Sequence, residues 1–195
     1  MERVSQEEVI ESWLRKELEK HNETISNLDE MSESKKLAKL QEKEPETAGF
    51  FLEESFEWYK TELSEKEFRQ LYSVWANYDI PDHTIDKLGK QLQNPDSKVS
   101  KTLNKEGVGT DHIRELANNL PEETPKHPII VTVNGLKSPR VRDGCHRAMS
   151  VSLHMAEGRK YQELEAYIGF STPRKLKSFT LRFRKGMLSR FDKLV

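Results

Sequence analysis

Residues 128–158 predict a strand, a glycine turn and a helix in close succession. Residues 128–133 form an apolar run with the length and composition of a buried strand. The turn is the pentapeptide Asp143-Gly144-Cys145-His146-Arg147. Such a turn presents backbone N–H groups at the positive end of a helix dipole, which is a ready-made anion site. The helix after it ends near residue 158 and carries one apolar face, made of Ala148, Val151 and Met155.

The side chains of this turn suit either an anion or a purely structural role. Arg147 can hold a phosphate bidentately, and His146 can donate a hydrogen bond or exchange a proton. Asp143 can cap the helix, orient Arg147 or hold Mg²⁺ beside a nucleotide. Cys145 has the surroundings of a reactive thiolate. The structural alternatives are an ordinary turn, a His146 that bonds a backbone carbonyl, an ion pair of Arg147 with Asp143 or Glu165, and a buried Cys145. Taken together the residues favour an anion site, and a nucleophilic Cys145 is the less favoured interpretation.

The neighbouring segments predict a compact α/β unit around the turn. A helix capped by Thr110 or Asp111 precedes the apolar strand. Asn134-Gly135 indicates a type I′ hairpin turn, with a return strand over residues 140–142. The alternating segment 164–170 predicts a further strand, so the sheet is expected to be mixed.

The first half of the chain predicts mainly helices. Ser5 and Ser64 each begin a capping box that is followed by apolar residues at helical spacing. The pattern predicts one helix over residues 6–21 and another within residues 22–48, and the aromatic segment 50–59 is also expected to be helical. The apolar stripe after the second capping box predicts a longer helix through Phe68, Leu71, Tyr72 and Trp75.

The rest of the chain completes the predicted organisation. A short helix is expected through Ile85, Leu88 and Leu92, followed by a surface connection over residues 94–106. The fold class is therefore α+β, in three parts. These are a helical N-terminal region (1–95), a small α/β domain with a mixed sheet (105–172) and a basic C-terminal segment (173–195).

Composition excludes several classes of protein. The 195 residues carry a formal net charge of −1, which argues against a chain that coats nucleic acid or anionic lipid along its whole length. The single cysteine excludes an intramolecular disulfide and fits a reducing compartment. No apolar stretch is long enough to span a bilayer, and the acidic N-terminus is unlike a signal peptide. We therefore expect a soluble, cytoplasmic protein with no membrane partner.

The C-terminal segment supports an alternative function because it is basic. Residues 179–184 alternate as in a half-buried strand with a basic outer face. Clustered cations can bind the phosphates of DNA, although such charges more often form a solvated face. The residues that carry this alternative are Arg174, Lys175, Lys177, Arg182, Arg184 and Lys185.

Four short motifs over residues 107–170 resemble the ParB/sulfiredoxin superfamily in their order and spacing. The resemblance implies a small α/β fold that binds a nucleoside diphosphate or triphosphate, such as ATP with Mg²⁺, at the glycine turn. The motifs are Glu115-Leu116-Ala117-Asn118-Asn119-Leu120, Pro128-Ile129-Ile130-Val131, Asn134-Gly135 and Gly144-Cys145-His146-Arg147-Ala148.

The turn of this chain resembles the corresponding turns of three branches of this superfamily. Sulfiredoxins carry Gly-Cys-His-Arg with the cysteine as nucleophile, and residues 144–147 match it, but Asp143 stands where sulfiredoxins usually have a small residue. Free-serine kinases carry an Asp-Gly-His-His-Arg turn, which residues 143–147 resemble with one change. ParB-type partition proteins carry Gly-x-Arg-Arg and bind CTP, and here His146 replaces the first arginine.

The leading hypothesis is a nucleotide-dependent phosphotransferase or NTPase. Asp143 would serve Mg²⁺ or orient the turn, and the candidate catalytic residues are Asp143, His146, Glu115 and Cys145. Glu115 is a candidate base towards a hydroxyl acceptor. The residues expected to contact the nucleotide are Gly144, Cys145, His146 and Arg147 in the turn, with His112 and Asn119 on the preceding helix.

Three alternatives remain open at the level of the sequence. The first is a DNA-binding or DNA-cleaving protein that uses the basic C-terminal segment. The second is a sulfiredoxin-like reductase that acts through Cys145. The third is a nucleotide-gated or structural adaptor whose N-terminal helices bind a protein partner.

Overall fold

The computed structural model describes residues 1–45, 47–73, 84–105, 107–120, 127–135 and 137–171. In this part of the chain, eight α-helices and a mixed sheet of six strands confirm the predicted α+β class. Trp75 and the basic C-terminal segment, including its predicted strand, lie outside the described residues. None of the helices in the described ranges has both the length and the apolar composition needed to cross a membrane.

The elements follow one another in chain order. They are β1 (Glu2–Val4), α1 (Gln6–Lys20), α2 (Glu33–Lys43), α3 (Phe50–Glu53), β2 (Phe56–Leu63), α4 (Glu65–Phe68), β3 (Tyr72–Ser73), α5 (Ile85–Leu92), α6 (Lys98–Lys105), α7 (Thr110–Asn119), β4 (Ile129–Val133), β5 (Arg140–Asp143), α8 (Cys145–Ala156) and β6 (Leu164–Ser171).

The chain divides into two compact units. Unit 1 comprises Met1–Lys60, Val133–Lys137 and Tyr167–Val195, and unit 2 comprises Thr61–Thr132 and Ser138–Ala166. The sequence predicts a boundary between the helical region and the α/β domain near residues 95–105. Unit 1 contains residues from both sides of it. The three predicted parts of the chain stay a prediction.

In unit 1, α1 is capped at its start and is joined to α2 by ion pairs. The Ser5 hydroxyl accepts the Glu8 N–H at 3.1 Å and caps α1, as predicted. The helix expected within residues 22–48 is α2, and its buried Lys36 is tied to α1 by ion pairs to Glu7 and Glu11, both at 2.6 Å. Helix α1 buries one apolar face, made of Val9, Ile10, Trp13, Leu14 and Leu18.

The prediction of a helix over residues 50–59 is wrong beyond Glu53. Only α3 is helical, and Phe56 begins the strand β2. Val4 of β1 lies opposite Trp58 in an antiparallel pair, so the tryptophan is held by a strand partner more than fifty residues away. Aromatic residues favour a pleated surface, and here that preference outweighs the local helical pattern.

In unit 2, the capping box at Ser64 forms but the long helix after it does not. Ser64 N–H donates to Glu67 Oε2 at 2.8 Å, and Glu67 N–H donates back to the Ser64 hydroxyl at 3.4 Å. Helix α4 ends after one turn at Phe68 because Tyr72 enters β3. Strand β3 pairs in parallel with β5, where Tyr72 lies opposite Arg140.

Three further predictions are wrong, in α6, at the start of α7 and in the β4–β5 turn. Residues 98–105 are the helix α6 rather than a surface connection, and the Ser97 hydroxyl accepts the Ser100 N–H at 3.0 Å at its start. The N-cap of α7 is Gly109 rather than Thr110 or Asp111. The β4–β5 pair is antiparallel as predicted, but the turn is not type I′, since Asn134 is not among the described residues with positive φ.

Three helices of unit 2 position the glycine turn. Helix α8 packs against α5 and against α7. The contact with α5 is close because a Cβ on Gly89 would lie 2.1 Å from Ser152 Oγ. Helix α5 forms where the sequence predicts it, and β6 confirms the strand predicted over residues 164–170.

Candidate functional site

The turn between β5 and α8 is tightly closed around Gly144. Gly144 is the N-cap of α8 with φ +83, in the left-handed region that glycine adopts without steric cost. A Cβ at this position would lie 2.6 Å from Ile129 Cγ2 and 2.7 Å from Arg147 Nη2. The first bond of the helix runs from Ala148 N–H to Gly144 O at 2.9 Å. The N–H groups of residues 145–147 therefore belong to the first turn, which points them outward along the helix axis.

Arg147 folds back over the turn and braces it. Its Nη2 donates to Asp143 Oδ2 at 3.0 Å, and its Nη1 donates to the carbonyl oxygen of His127. The side chains of Arg147 and Asp143 are 15% and 14% exposed. One guanidinium thus joins the end of β5, the segment before β4 and the first turn of α8. The Arg147–Asp143 pair was one of the structural alternatives in the sequence, and direct phosphate contact by Arg147 stays a prediction.

Cys145 lies beneath the turn rather than on its surface. Its thiol is buried and donates to the carbonyl oxygen of Val141, with Sγ and O at 3.6 Å. The hydroxyl of Ser73 in β3 approaches Sγ to 4.0 Å. These contacts match the alternative in which a lone cysteine is a small core residue. They argue against an attacking thiolate, which needs access to its substrate.

The imidazoles of His112 and His146 face each other across α7 and α8. Their ring centroids are 6.0 Å apart and the ring planes are tilted by 57°. Nδ1 of His112 lies 3.7 Å from Glu115 Oε2, one helical turn along α7. Three of the residues singled out from the sequence are therefore brought together beside the glycine turn.

The two helices run in the same direction, so their N-termini lie at the same end. His112 meets His146 near both starts, and further along the carbonyl oxygen of Ala117 lies 3.1 Å from His154 Nδ1. Both helices begin after a glycine N-cap, and in α7 the N–H of Thr110 donates to Asn104 Oδ1 at 3.3 Å. The positive ends of two helix dipoles thus point towards the region of the histidine pair.

Asn119 is placed away from this region. It is the last residue of α7 and lies about 10 Å along the helix axis from His112, at 1.5 Å per residue. The C-terminal part of α7 contacts Arg159 instead, whose Nη1 donates to Ala117 O at 3.2 Å. Of the residues expected to contact a nucleotide from α7, only His112 is at the turn.

Two features of the site were missed in the sequence. The carbonyl of His127 anchors Arg147, and the one sequence signal for it is the following Pro128, which favours an extended backbone at residue 127. Arg142 on β5 donates from Nε to Thr132 Oγ1 at 2.8 Å, which holds it on the β4–β5 pair. Its cationic side chain was not among the predicted site residues.

The donor chemistry of the site suits an anion rather than a metal held by protein ligands alone. Among the described residues, no group of three or more His, Cys, Asp and Glu is arranged to hold a metal ion. Asp143, the predicted Mg²⁺ ligand, forms the ion pair with Arg147. The six cations expected to bind DNA, Arg174 to Lys185, lie beyond the described part of the chain.

Comparisons with known proteins identify no relative. The chain matches no protein-family model, no curated protein and no solved structure. The resemblance to the ParB/sulfiredoxin superfamily stays a prediction from four short motifs. The case for a function therefore depends on the geometry around the start of α8.

Proposed function

We propose that the protein binds the phosphate groups of a nucleotide at the starts of α7 and α8 and is a nucleotide-dependent phosphotransferase or NTPase. The observation that carries the proposal is the convergence of two helix N-termini on the His112–His146 pair. Helix N-termini attract anions through the dipole and through their first-turn N–H groups. The imidazole of His146 adds a hydrogen-bond donor at the start of α8.

The donor set fits a phosphate group, and each residue has a distinct task. The first turn of α8 and His146 would bind the phosphate oxygens. Arg147 would keep the turn in shape through its bonds to Asp143 and to the His127 carbonyl. Phosphoryl transfer requires mainly positioning and charge neutralisation, which the helix N-termini and the Mg²⁺ on the nucleotide would supply. Mg²⁺ would arrive on the nucleotide phosphates, with Asp143 as a candidate carboxylate ligand.

The two alternatives in the sequence have less support. A sulfiredoxin-like reaction requires an accessible thiolate at Cys145, whose thiol is buried. DNA binding through the C-terminal segment depends on residues outside the described ranges, so no contact in the described ranges favours it. Nucleotide binding is the function that the geometry of the described groups supports best.

The test is isothermal titration calorimetry of the full chain with ATP, ADP and CTP in the presence of Mg²⁺. Binding of at least one nucleotide is expected, with an affinity reduced tenfold or more in His146→Ala. His21→Ala is the matched control, since His21 is an exposed histidine at the end of α1 in unit 1. Failure of the wild type to bind any of the three would refute the proposal. Equal nucleotide affinity of the wild type and His146→Ala would show that His146 does not bind the nucleotide.

A further inference from the structure

We infer that His112 is the general base of the proposed reaction and that Glu115 is its positioning residue. This rests on the proposed function, and it differs from the expectation that Glu115 is itself the base. His112 is the one of the two groups that contacts the start of α8, through its ring contact with His146. Glu115 is placed to act on His112 rather than on a substrate at the turn.

The contact between Glu115 and His112 bears on which nitrogen of the imidazole can accept a proton. Oε2 of Glu115 lies 3.7 Å from Nδ1 of His112, within ion-pair distance and at the i, i+3 spacing of one helix face. The contact is longer than a hydrogen bond, and the negative charge on that side favours the tautomer with the proton on Nδ1 by electrostatic attraction. Nε2 is then the nitrogen with an available lone pair, and it can accept a proton.

His112 is also accessible to an acceptor substrate. Its side chain is 59% exposed, whereas the thiol at the same turn is buried. Glu115 lies three residues along α7 from His112, and the sequence neighbour Asp111 is paired with Arg114 at 3.0 Å. From α8, the ring faces His146. The two histidines therefore have different roles: His146 binds the phosphate, and His112 accepts the proton of the attacking hydroxyl.

The step balances without a further reagent. The oxygen of an alcohol or a water attacks the terminal phosphorus and forms the new P–O bond. The hydroxyl proton passes to Nε2 of His112. The bond between the terminal phosphorus and the bridging oxygen breaks, and the nucleoside diphosphate leaves with the electron pair. Such a base contributes about 10²- to 10⁴-fold to the rate of a reaction.

The test uses the full chain with Mg²⁺ and the nucleotide it binds, and measures release of inorganic phosphate with water as acceptor. In His112→Ala, kcat should fall about 100-fold or more while nucleotide affinity stays within threefold of wild type. Added imidazole should restore part of that rate, because the exposed position leaves room for it. Glu115→Gln should lower kcat by a smaller factor, and His21→Ala should leave it unchanged.

The outcomes separate this inference from the proposed function. Absence of nucleotide binding by the wild type would refute the proposed function itself. Binding without phosphate release by the wild type would leave the proposed nucleotide site in place, but it would overturn both the NTPase activity and the assignment of a base. A His112→Ala rate within threefold of wild type, a loss of nucleotide binding in that variant, or a rate loss that imidazole does not restore would each overturn the assignment as well.

Discussion

Replacing Gly144 with alanine should destabilise the fold more than any other single alanine at a positive-φ glycine of unit 2. The left-handed conformation costs a non-glycine residue about 1–2 kcal/mol. The new Cβ would also lie 2.6 Å from Ile129 Cγ2 and 2.7 Å from Arg147 Nη2, so both groups must move. Overpacking of this kind costs about 1–3 kcal/mol. The free energy of unfolding should therefore fall by roughly 2–5 kcal/mol.

Gly158→Ala is the matched control for this variant. Gly158 follows the same helix and has φ +85, but no heavy atom lies within 4 Å of the position of its Cβ. Its replacement should cost only the conformational term, about 1–2 kcal/mol. The loss of chain entropy in the unfolded state is common to both substitutions and cancels in the comparison. The difference between the two variants therefore measures how tightly the turn is packed.

Urea unfolding followed by far-ultraviolet circular dichroism supplies both free energies, and thermal unfolding gives a second reading. At roughly 2–4 °C per kcal/mol for a chain of this size, Gly144→Ala should lower Tm by about 4–20 °C. Its nucleotide affinity should fall as well, whereas Gly158→Ala should retain it. If the two variants unfolded with equal free energy, the close packing of Ile129 and Arg147 on Gly144 would be wrong.

Three further predictions concern the α5–α8 contact, the Cys145 thiol and the ion pair between α1 and α2. Gly89→Ala should lower the free energy of unfolding by about 1–3 kcal/mol in a denaturant titration, because the Cβ would meet Ser152 of α8; an unchanged midpoint would contradict the close α5–α8 contact. The buried Cys145 thiol should react with DTNB at under about a tenth of its rate in denaturant, and equal rates would show that the thiol is exposed. The hydrogen bond from Lys36 holds the pKa of Glu11 below its usual range, so this stability is present above the unfolded-state pKa and is lost as the pH falls through the folded-state pKa. Acid titration of Lys36→Met, followed by circular dichroism, should give a shallower loss of stability than in the wild type, and identical acid limbs would refute this linkage.

The elements that the sequence predicts correctly are those whose signals are local. Helix α1 has both a cap at Ser5 and a complete apolar face, and α8 follows a glycine that the turn requires. Strand β4 is a continuous apolar run, which is typical of a strand buried on both sides. In each case a few neighbouring residues contain enough information to define the element.

The elements that the sequence misses depend on distant partners or on few apolar residues. Strand β2 is held by pairing with β1, and its Phe56 and Trp58 continue an aromatic run that begins in a helix. Strand β3 has two residues and exists through its pairing with β5. Helix α6 offers only Val99 and Leu103 as buried apolar residues in an otherwise polar segment. Tertiary contacts decide all three, and a pattern within ten residues cannot contain them.

The candidate site also has one part that the sequence predicts and one part that depends on distant contacts. Its chemistry is local, because the residues of the turn are adjacent in the sequence. Its geometry is not, because the parallel packing of α7 and α8 brings His112 to His146 across thirty-four positions of the chain. The same packing leaves Asn119 at the far end of α7. The resemblance of motifs implies that α7 faces the ligand. The direction of α7 relative to α8 decides which residues of α7 lie near the glycine turn.

The brace at Arg147 changes how a loss of nucleotide binding should be interpreted. A site that stabilises charge works best when its donors are fixed before the ligand arrives. Arg147 fixes the turn through Asp143 and the His127 carbonyl, so it contributes to affinity even without touching a phosphate. A lower nucleotide affinity of Arg147→Ala would therefore be consistent with either role of Arg147, fixing the turn or contacting the phosphate. Asp143→Asn, titrated with nucleotide in the absence of Mg²⁺, separates them, because it removes the charge of the partner and keeps an acceptor oxygen. If Arg147 only braces the turn, losing its ion pair should weaken binding, whereas an arginine that holds phosphate should bind at least as well once Asp143 no longer competes for it.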